Sequence, residues 1–362
     1  MLRLASSLAS GIAFALMLTL GGCATGAPEA GGPSPDRSAT VAGTESSAAS
    51  AAAGSAADGS FTFGAGGDLG ANDLTSAGLA KLDASDARFF LALGDLDYDQ
   101  TASDSAWCDY VTAHLPTKGA GFPFELVSGN HEADGGPDGR VANMAACLGD
   151  KLGSAGTYAA QYTFRYPATD PLAAVIMISP RLKVGGHTYD YRSGTADRAW
   201  LVRKIDRARA AGIPWVIVGM HYPCFSTGRA HGCDAGAPVM NLLVRKRVDL
   251  LLVGHNHLYE RSKQIRLRTG CTSLRAGHFD RDCVVDNGAD NAYRAGRGLV
   301  QVTSGRVGGR YQGIDPNDPD RRWFVKAGDR TTGWTKVAVT PRRLTATYVN
   351  TSGGMQDTFT ID

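Results

Sequence analysis

The sequence predicts an α/β domain over residues 60–362, and two observations carry that prediction. Short apolar runs of strand composition alternate with polar loops and with stretches of helical spacing. Five of the runs also end in a cluster of glycine and polar residues, the arrangement expected where ligands gather beyond the carboxyl ends of strands.

Taken in order, Phe61–Gly64 leads into Gly67-Asp68, and Arg88–Leu93 into Gly94-Asp95. Phe124–Ser128 leads into Gly129-Asn130, Trp215–Val218 into His221, and Val248–Val253 into Gly254-His255. These runs are rich in Val, Ile, Leu and Phe, which suits strands buried in a core. Over Asp197–Ala211, Trp200, Leu201, Ile205 and Ala208 recur at helical spacing with Arg and Lys between them, which predicts an amphipathic helix. Ala237–Lys246 predicts a second helix, with Pro238 tolerated in its first turn. Gly298–Thr303 and Thr335–Asp362 read as further strands, closing in a hairpin around Ser352-Gly353-Gly354. No repeat of fixed period is visible.

The first 22 residues read as a targeting signal and stand outside the fold. Arg3 supplies positive charge, Gly11–Leu20 is apolar but too short to span a bilayer, and Leu20-Gly21-Gly22-Cys23 follows. That tetrad resembles the bacterial lipobox, which implies lipidation of Cys23, export, and anchoring to the cell envelope outside the cytoplasm. The alternative is a cleaved signal with an incidental cysteine. Residues 24–59 are almost wholly Ala, Gly, Ser, Thr and Pro and contain no aromatic residue. Such a stretch buries too little surface to offset its ordering entropy, so residues 23–59 read as a lipidated cysteine and a flexible tether. Six cysteines remain, Cys108, Cys147, Cys224, Cys233, Cys271 and Cys283, an even number that fits an exported domain. Their connectivity is open; proximity favours Cys108–Cys147, Cys224–Cys233 and Cys271–Cys283.

A hydrophobic share of 43% and a charged share of 20% suffice for an ordinary core. The net charge of +2, with no Lys/Arg block, leaves no electrostatic footprint for a nucleic-acid partner. A small phosphorylated substrate remains compatible.

The strand ends read Gly67-Asp68-Leu69-Gly70, Gly94-Asp95-Leu96-Asp97-Tyr98, Gly129-Asn130-His131-Glu132, Val218-Gly219-Met220-His221 and Gly254-His255-Asn256-His257. Carboxylate, phenolate, amide oxygen and imidazole are hard-to-borderline donors, suited to Fe, Zn or Mn. The five blocks resemble the signature of the purple acid phosphatases, within the calcineurin-like metallophosphoesterase superfamily, and Leu258-Tyr259-Glu260-Arg261 extends the likeness. The resemblance implies a four-layer α/β/β/α fold, a β-sandwich flanked by helices. It assigns Asp68, Asp95, Tyr98 and His257 to a first metal, Fe(III) in that family. Asp95, Asn130, His221 and His255 fall to a second, which is Fe, Zn or Mn, so that Asp95 bridges the two. Most relatives carry a histidine where Gly70 stands, so Tyr98 is the natural replacement donor; the alternative is a core tyrosine. Asp97 is expected to face solvent.

The implied activity is hydrolysis of a phosphate monoester by a metal-activated hydroxide, as in an acid phosphatase. Phosphodiester or nucleotide hydrolysis at the same centre is the alternative, and a non-catalytic metal-binding surface lipoprotein is the rival of another class. His131 is the first candidate to orient phosphate or leaving group, and His231 the second, on a loop flanked by Cys224 and Cys233. Arg306 and Arg310 are further candidates for phosphate contact, whereas His114, His187 and His278 match no block. Residues 264–297 read as an insertion of the kind that commonly shapes a substrate cleft.

Overall fold

The strand Phe61–Gly66 is apolar on both faces because both faces are covered. Alternate residues of each central strand point to opposite sides. Phe61, Phe63 and Ala65 join Phe89, Leu91, Trp215 and Ile217 in a core between two sheets. Phe90, Ala92, Val216 and Val218 face outward, into a layer completed by helices. This is the helix–sheet–sheet–helix order expected. The computed structural model describes residues 59–362 except His231. The signal 1–22, Cys23, all of the tether but Gly59, and His231 lie outside the described residues.

The first sheet has seven strands, in the order Ala292–Tyr293, Thr358–Ile361, Leu344–Asn350, Gly333–Val339, Phe61–Gly66, Phe90–Ala92, Phe124–Leu126. The second has eight, in the order Phe324–Gly328, Tyr259–Ser262, Val300–Ser304, Leu250–Val253, Trp215–Met220, Ala173–Ile178, Gln161–Tyr166, Ala155–Thr157. Phe61–Gly66, Phe90–Ala92 and Phe124–Leu126 run parallel, as do Ala173–Ile178, Trp215–Met220, Leu250–Val253 and Val300–Ser304. All five predicted ligand-bearing loops therefore leave the same end of the domain.

Helices Ala196–Ala210 and Ala237–Arg245 match the sequence reading to within one residue at each end. Three helices of the other outer layer, Asp73–Asp83, Asp104–Ala113 and Val141–Cys147, were not anticipated. Their starts are nevertheless partly written in the chain: the side chains of Asn72 and Ser103 cap the first two. Cysteines pair as Cys108–Cys147, Cys224–Cys233 and Cys271–Cys283. Segment 264–297 forms a two-stranded ribbon, Gln264–Ile265 with Val284–Asp286, and then adds Ala292–Tyr293 to the edge of the first sheet. Among the described residues, no helix is long and apolar enough to cross a membrane.

Candidate metal centre

Each predicted ligand sits on a loop just past a strand, and glycines let these loops close on one another. A Cβ at Gly129 would lie 2.2 Å from Asp95 Oδ1, so only glycine admits that carboxylate. Gly94 has φ +82°, and a Cβ there would lie 2.6 Å from Gly129 N and 2.8 Å from His221 Nδ1. The predicted ligands Asp68, Asp95, Tyr98 and His255 themselves adopt left-handed backbone, with φ of 59°, 52°, 56° and 71°. Such a conformation costs a non-glycine residue on the order of 1–3 kcal/mol and persists where its surroundings over-determine it. Here they do. Asp68, Leu69 and Gly70 donate their N–H groups to the carbonyls of Gly94, Asp95 and Leu96, each at 2.9 Å. Buried Glu132 accepts from the N–H groups of Asp95 (3.0 Å), Leu96 (3.3 Å) and Gly129 (2.6 Å). Burial, reinforced by the charge of Asp95, pushes the Glu132 carboxyl up to about 8.

The donors converge in two groups. In the first, the Tyr98 hydroxyl lies 2.8 Å from Asp68 Oδ1, 3.2 Å from Asp95 Oδ2 and 3.0 Å from His257 Nε2. In the second, His221 Nε2 lies 3.2 Å from Asp95 Oδ1, 3.2 Å from Asn130 Oδ1 and 3.0 Å from His255 Nδ1. The two oxygens of Asp95 thus face different groups.

Their chemistry fits cations. His221 Nδ1 is 2.7 Å from the Leu93 carbonyl and His257 Nδ1 is 2.5 Å from the Arg310 carbonyl. A carbonyl only accepts, so each Nδ1 carries a proton and each Nε2 is the nitrogen turned to the centre, where it could ligate a metal. His255 Nε2 is 3.0 Å from Asp234 Oδ2, which likewise leaves its Nδ1 lone pair facing inward. Carboxylates so close to these nitrogens call for positive charge at each Nε2, which a proton supplies when no metal is bound and which a metal ion would supply in its place. The same field acts on the groups themselves. Burial opposes a charge on His221, yet Asp95 outweighs it and lifts the imidazole to about 9. Burial, with the charges of Asp68 and Asp95, holds the Tyr98 phenol well above its ordinary value, so it donates to Asp68.

Over the centre opens a cleft of about 320 Å³ lined by Asp95, Tyr98, Asn130, His131, Asp138 and Arg310, among others. His131 packs edge-on against Tyr98, with ring centroids 4.6 Å apart, and its Nε2 is 3.7 Å from Asp95 Oδ2. Its Nδ1 hydrogen-bonds the Asp138 carboxylate. Among the described residues, those that line this cleft do not include any from 264–297. Arg310 lines the cleft, whereas Arg306 is tied to the carbonyls of Gly309 and Asp329. Asp97, expected in solvent, is buried, because its carboxylate turns inward and accepts from the Thr101 hydroxyl at 2.9 Å. Gly70 leaves room for Gln100: a Cβ at position 70 would lie 2.6 Å from Gln100 Oε1. Of the unassigned histidines, His187 pairs with Asp197 at 3.0 Å and His278 is exposed, both away from the cleft. His114 is half-buried beside Tyr110.

Sequence reading gave no role to Glu132, Asp138 or Asp234. Glu132 stands inside the third block, and an acid there was a usable signal. Asp138 and Asp234 reach their histidines only through the fold.

Residues 67–259, more than half of the chain, match the family model for the calcineurin-like phosphoesterases. The chain belongs to that family. Within it, the chain is 30% identical to purple acid phosphatase 21 of Arabidopsis thaliana over 206 residues, 56% of this chain and 45% of that protein. It is 29% identical to a phosphoenolpyruvate phosphatase of Allium cepa over 222 residues, 58% of this chain and 43% of that one. The match thus spans less than half the length of either relative. Among solved structures, a purple acid phosphatase from yellow lupin (Lupinus luteus) seeds shares the fold. Its TM-score is 0.62 at 18% identity, over 84% of this chain and 54% of the lupin chain. Family members of this kind imply a binuclear metal centre, and the two donor groups that share Asp95 accord with one.

Proposed function

We propose that this calcineurin-like phosphoesterase hydrolyses phosphate monoesters at a binuclear centre. The observation that carries the reading is the division of donors about Asp95, whose two oxygens serve separate groups. Asp68, Asp95, Tyr98 and His257 would hold one cation, and Asp95, Asn130, His221 and His255 the other. Bound there, such cations supply Lewis-acid polarisation of the ester and an activated water.

The chain's own residues orient and protonate. Asp138 fixes a proton on His131 Nδ1, which directs Nε2 into the cleft. From there the imidazolium donates to a phosphate oxygen or to the departing alkoxide oxygen. His231 is proposed as a second substrate-facing group, on a loop closed by the Cys224–Cys233 disulfide. Glu260 holds that loop, accepting from the Ser226 hydroxyl (2.9 Å) and the Thr227 N–H (2.7 Å). We further propose export and lipid anchoring at Cys23, with which the three disulfides agree.

A panel of aryl monoesters, diesters and nucleotides tests the activity. Monoesters are expected to turn over fastest. Protein inert toward the whole panel while carrying two metals per chain would favour the non-catalytic surface protein.

We propose Fe(III) at the tyrosine site and Fe, Zn or Mn at the other. A phenolate is a hard oxygen donor, and with the carboxylates of Asp68 and Asp95 beside it the set would suit a hard trivalent cation. Iron-loaded protein is expected to show a visible phenolate-to-Fe(III) band that Tyr98→Phe abolishes. A colourless wild type holding only Zn or Mn would remove iron from the account and leave the hydrolase standing.

A further inference from the structure

The metal ligands follow the carboxyl ends of the parallel strands, and the opposite end of the domain carries a different chemistry. The described chain begins there: Gly59 is exposed, and Phe61, two residues on, lies 4.6 Å ring to ring from Tyr166. Arg165 precedes Tyr166 and pairs in register with Ala174, at the start of a parallel strand. The last turns of helix Ala196–Ala210 bring Arg203, Lys204 and Arg207 to the same end. Arg165, Lys204 and Arg207 line one groove of about 350 Å³.

Arg165, Arg203 and Arg207 are exposed, and among the described residues none of the four cations pairs with a carboxylate. The helix's own Asp206 is held by Lys246 at 2.8 Å. Lys204 lies over the Trp200 ring at 5.3 Å. Burial lowers its affinity for a proton, and the charges of Arg207, Arg203 and Arg165 lower it further. Like charges so crowded raise the free energy of the fold unless anions lie against them.

We propose that this end of the domain docks on an anionic phospholipid bilayer. Four cations spread over a helix face and a strand edge form an area rather than a closed pocket, which suits a charged surface. The 58 residues that precede Gly59 join the domain at this same end, and they include apolar Gly11–Leu20 and Cys23. Basic groups on a protein face add electrostatic attraction to whatever apolar anchor the chain carries. Docked so, the metal cleft points away from the bilayer, toward soluble esters.

The test is co-sedimentation of the full chain with phosphatidylcholine vesicles, with and without phosphatidylglycerol. Wild type is expected to prefer the anionic vesicles, and salt to screen the preference away. Each cation near such a surface is worth about fivefold in partitioning, so Arg165→Ala/Lys204→Ala/Arg207→Ala should lower binding roughly a hundredfold. Should that variant fold poorly, Arg203→Ala/Arg207→Ala removes two exposed cations and should lower binding roughly twentyfold. Unchanged metal content in the variants shows that the fold is kept. Equal binding of wild type to both vesicle types, or variants that bind like wild type, would overturn the proposal. So would binding of soluble polyphosphate through these residues without binding of vesicles.

Discussion

Asp95→Ala is expected to strip both metals from the chain and to slow phosphate release by more than about a thousandfold. Asp95 lies at the join of the two donor groups, one oxygen 3.2 Å from the Tyr98 hydroxyl and the other 3.2 Å from His221 Nε2. Removing it takes a donor from each group at once and also removes a negative charge that would offset two neighbouring cations. The burial of His221 makes the loss steeper, since burial opposes a charge there and Asp95 is the carboxylate that favours it most. Asp95→Asn keeps the shape and one acceptor oxygen, and is expected to retain one metal with low affinity. Metal content and phosphate release, read on the same preparations, check both expectations. An Asp95→Ala protein that keeps two metals per chain would show that the carboxylate is not shared.

His131→Ala is expected to do the opposite to metal content while still disabling turnover. Its side chain touches the centre only through the edge of the Tyr98 ring and a 3.7 Å approach to Asp95, so both metals should stay. Loss of a positioned proton donor should lower kcat about a hundred- to ten-thousandfold. Asp138→Asn should reproduce a fraction of that loss, because an amide can donate to Nδ1 and so favour the wrong tautomer. The discriminating result is the split between metal content and kcat. If His131→Ala loses metals in proportion to activity, the histidine serves the centre rather than the substrate.

The convergence of the candidate ligands was legible because four of the seven, Asp68, Asp95, Asn130 and His255, directly follow a glycine, and at Gly94 and Gly129 the close approach of the loops requires one. The central strands were legible because sheets covered on both faces require unbroken apolar runs. Helices Asp73–Asp83 and Asp104–Ala113 escaped because their sequences dilute the apolar stripe with Ala, Gly, Ser and Thr. Asp97 was misjudged because a polar residue beside ligands suggests solvent, whereas the loop turns it inward. Asp138 and Asp234 lie in Gly-rich and Cys-rich loops with no periodicity. Only the fold carries them 7 and 21 residues along the chain to their histidine partners.

The most direct measurement of the central claim is elemental analysis of the purified wild-type chain after dialysis against metal-free buffer. Two donor groups that share Asp95 predict two tightly held metal ions per chain, drawn from Fe, Zn and Mn. One ion per chain, or none after reconstitution with each of these metals, would contradict the binuclear account.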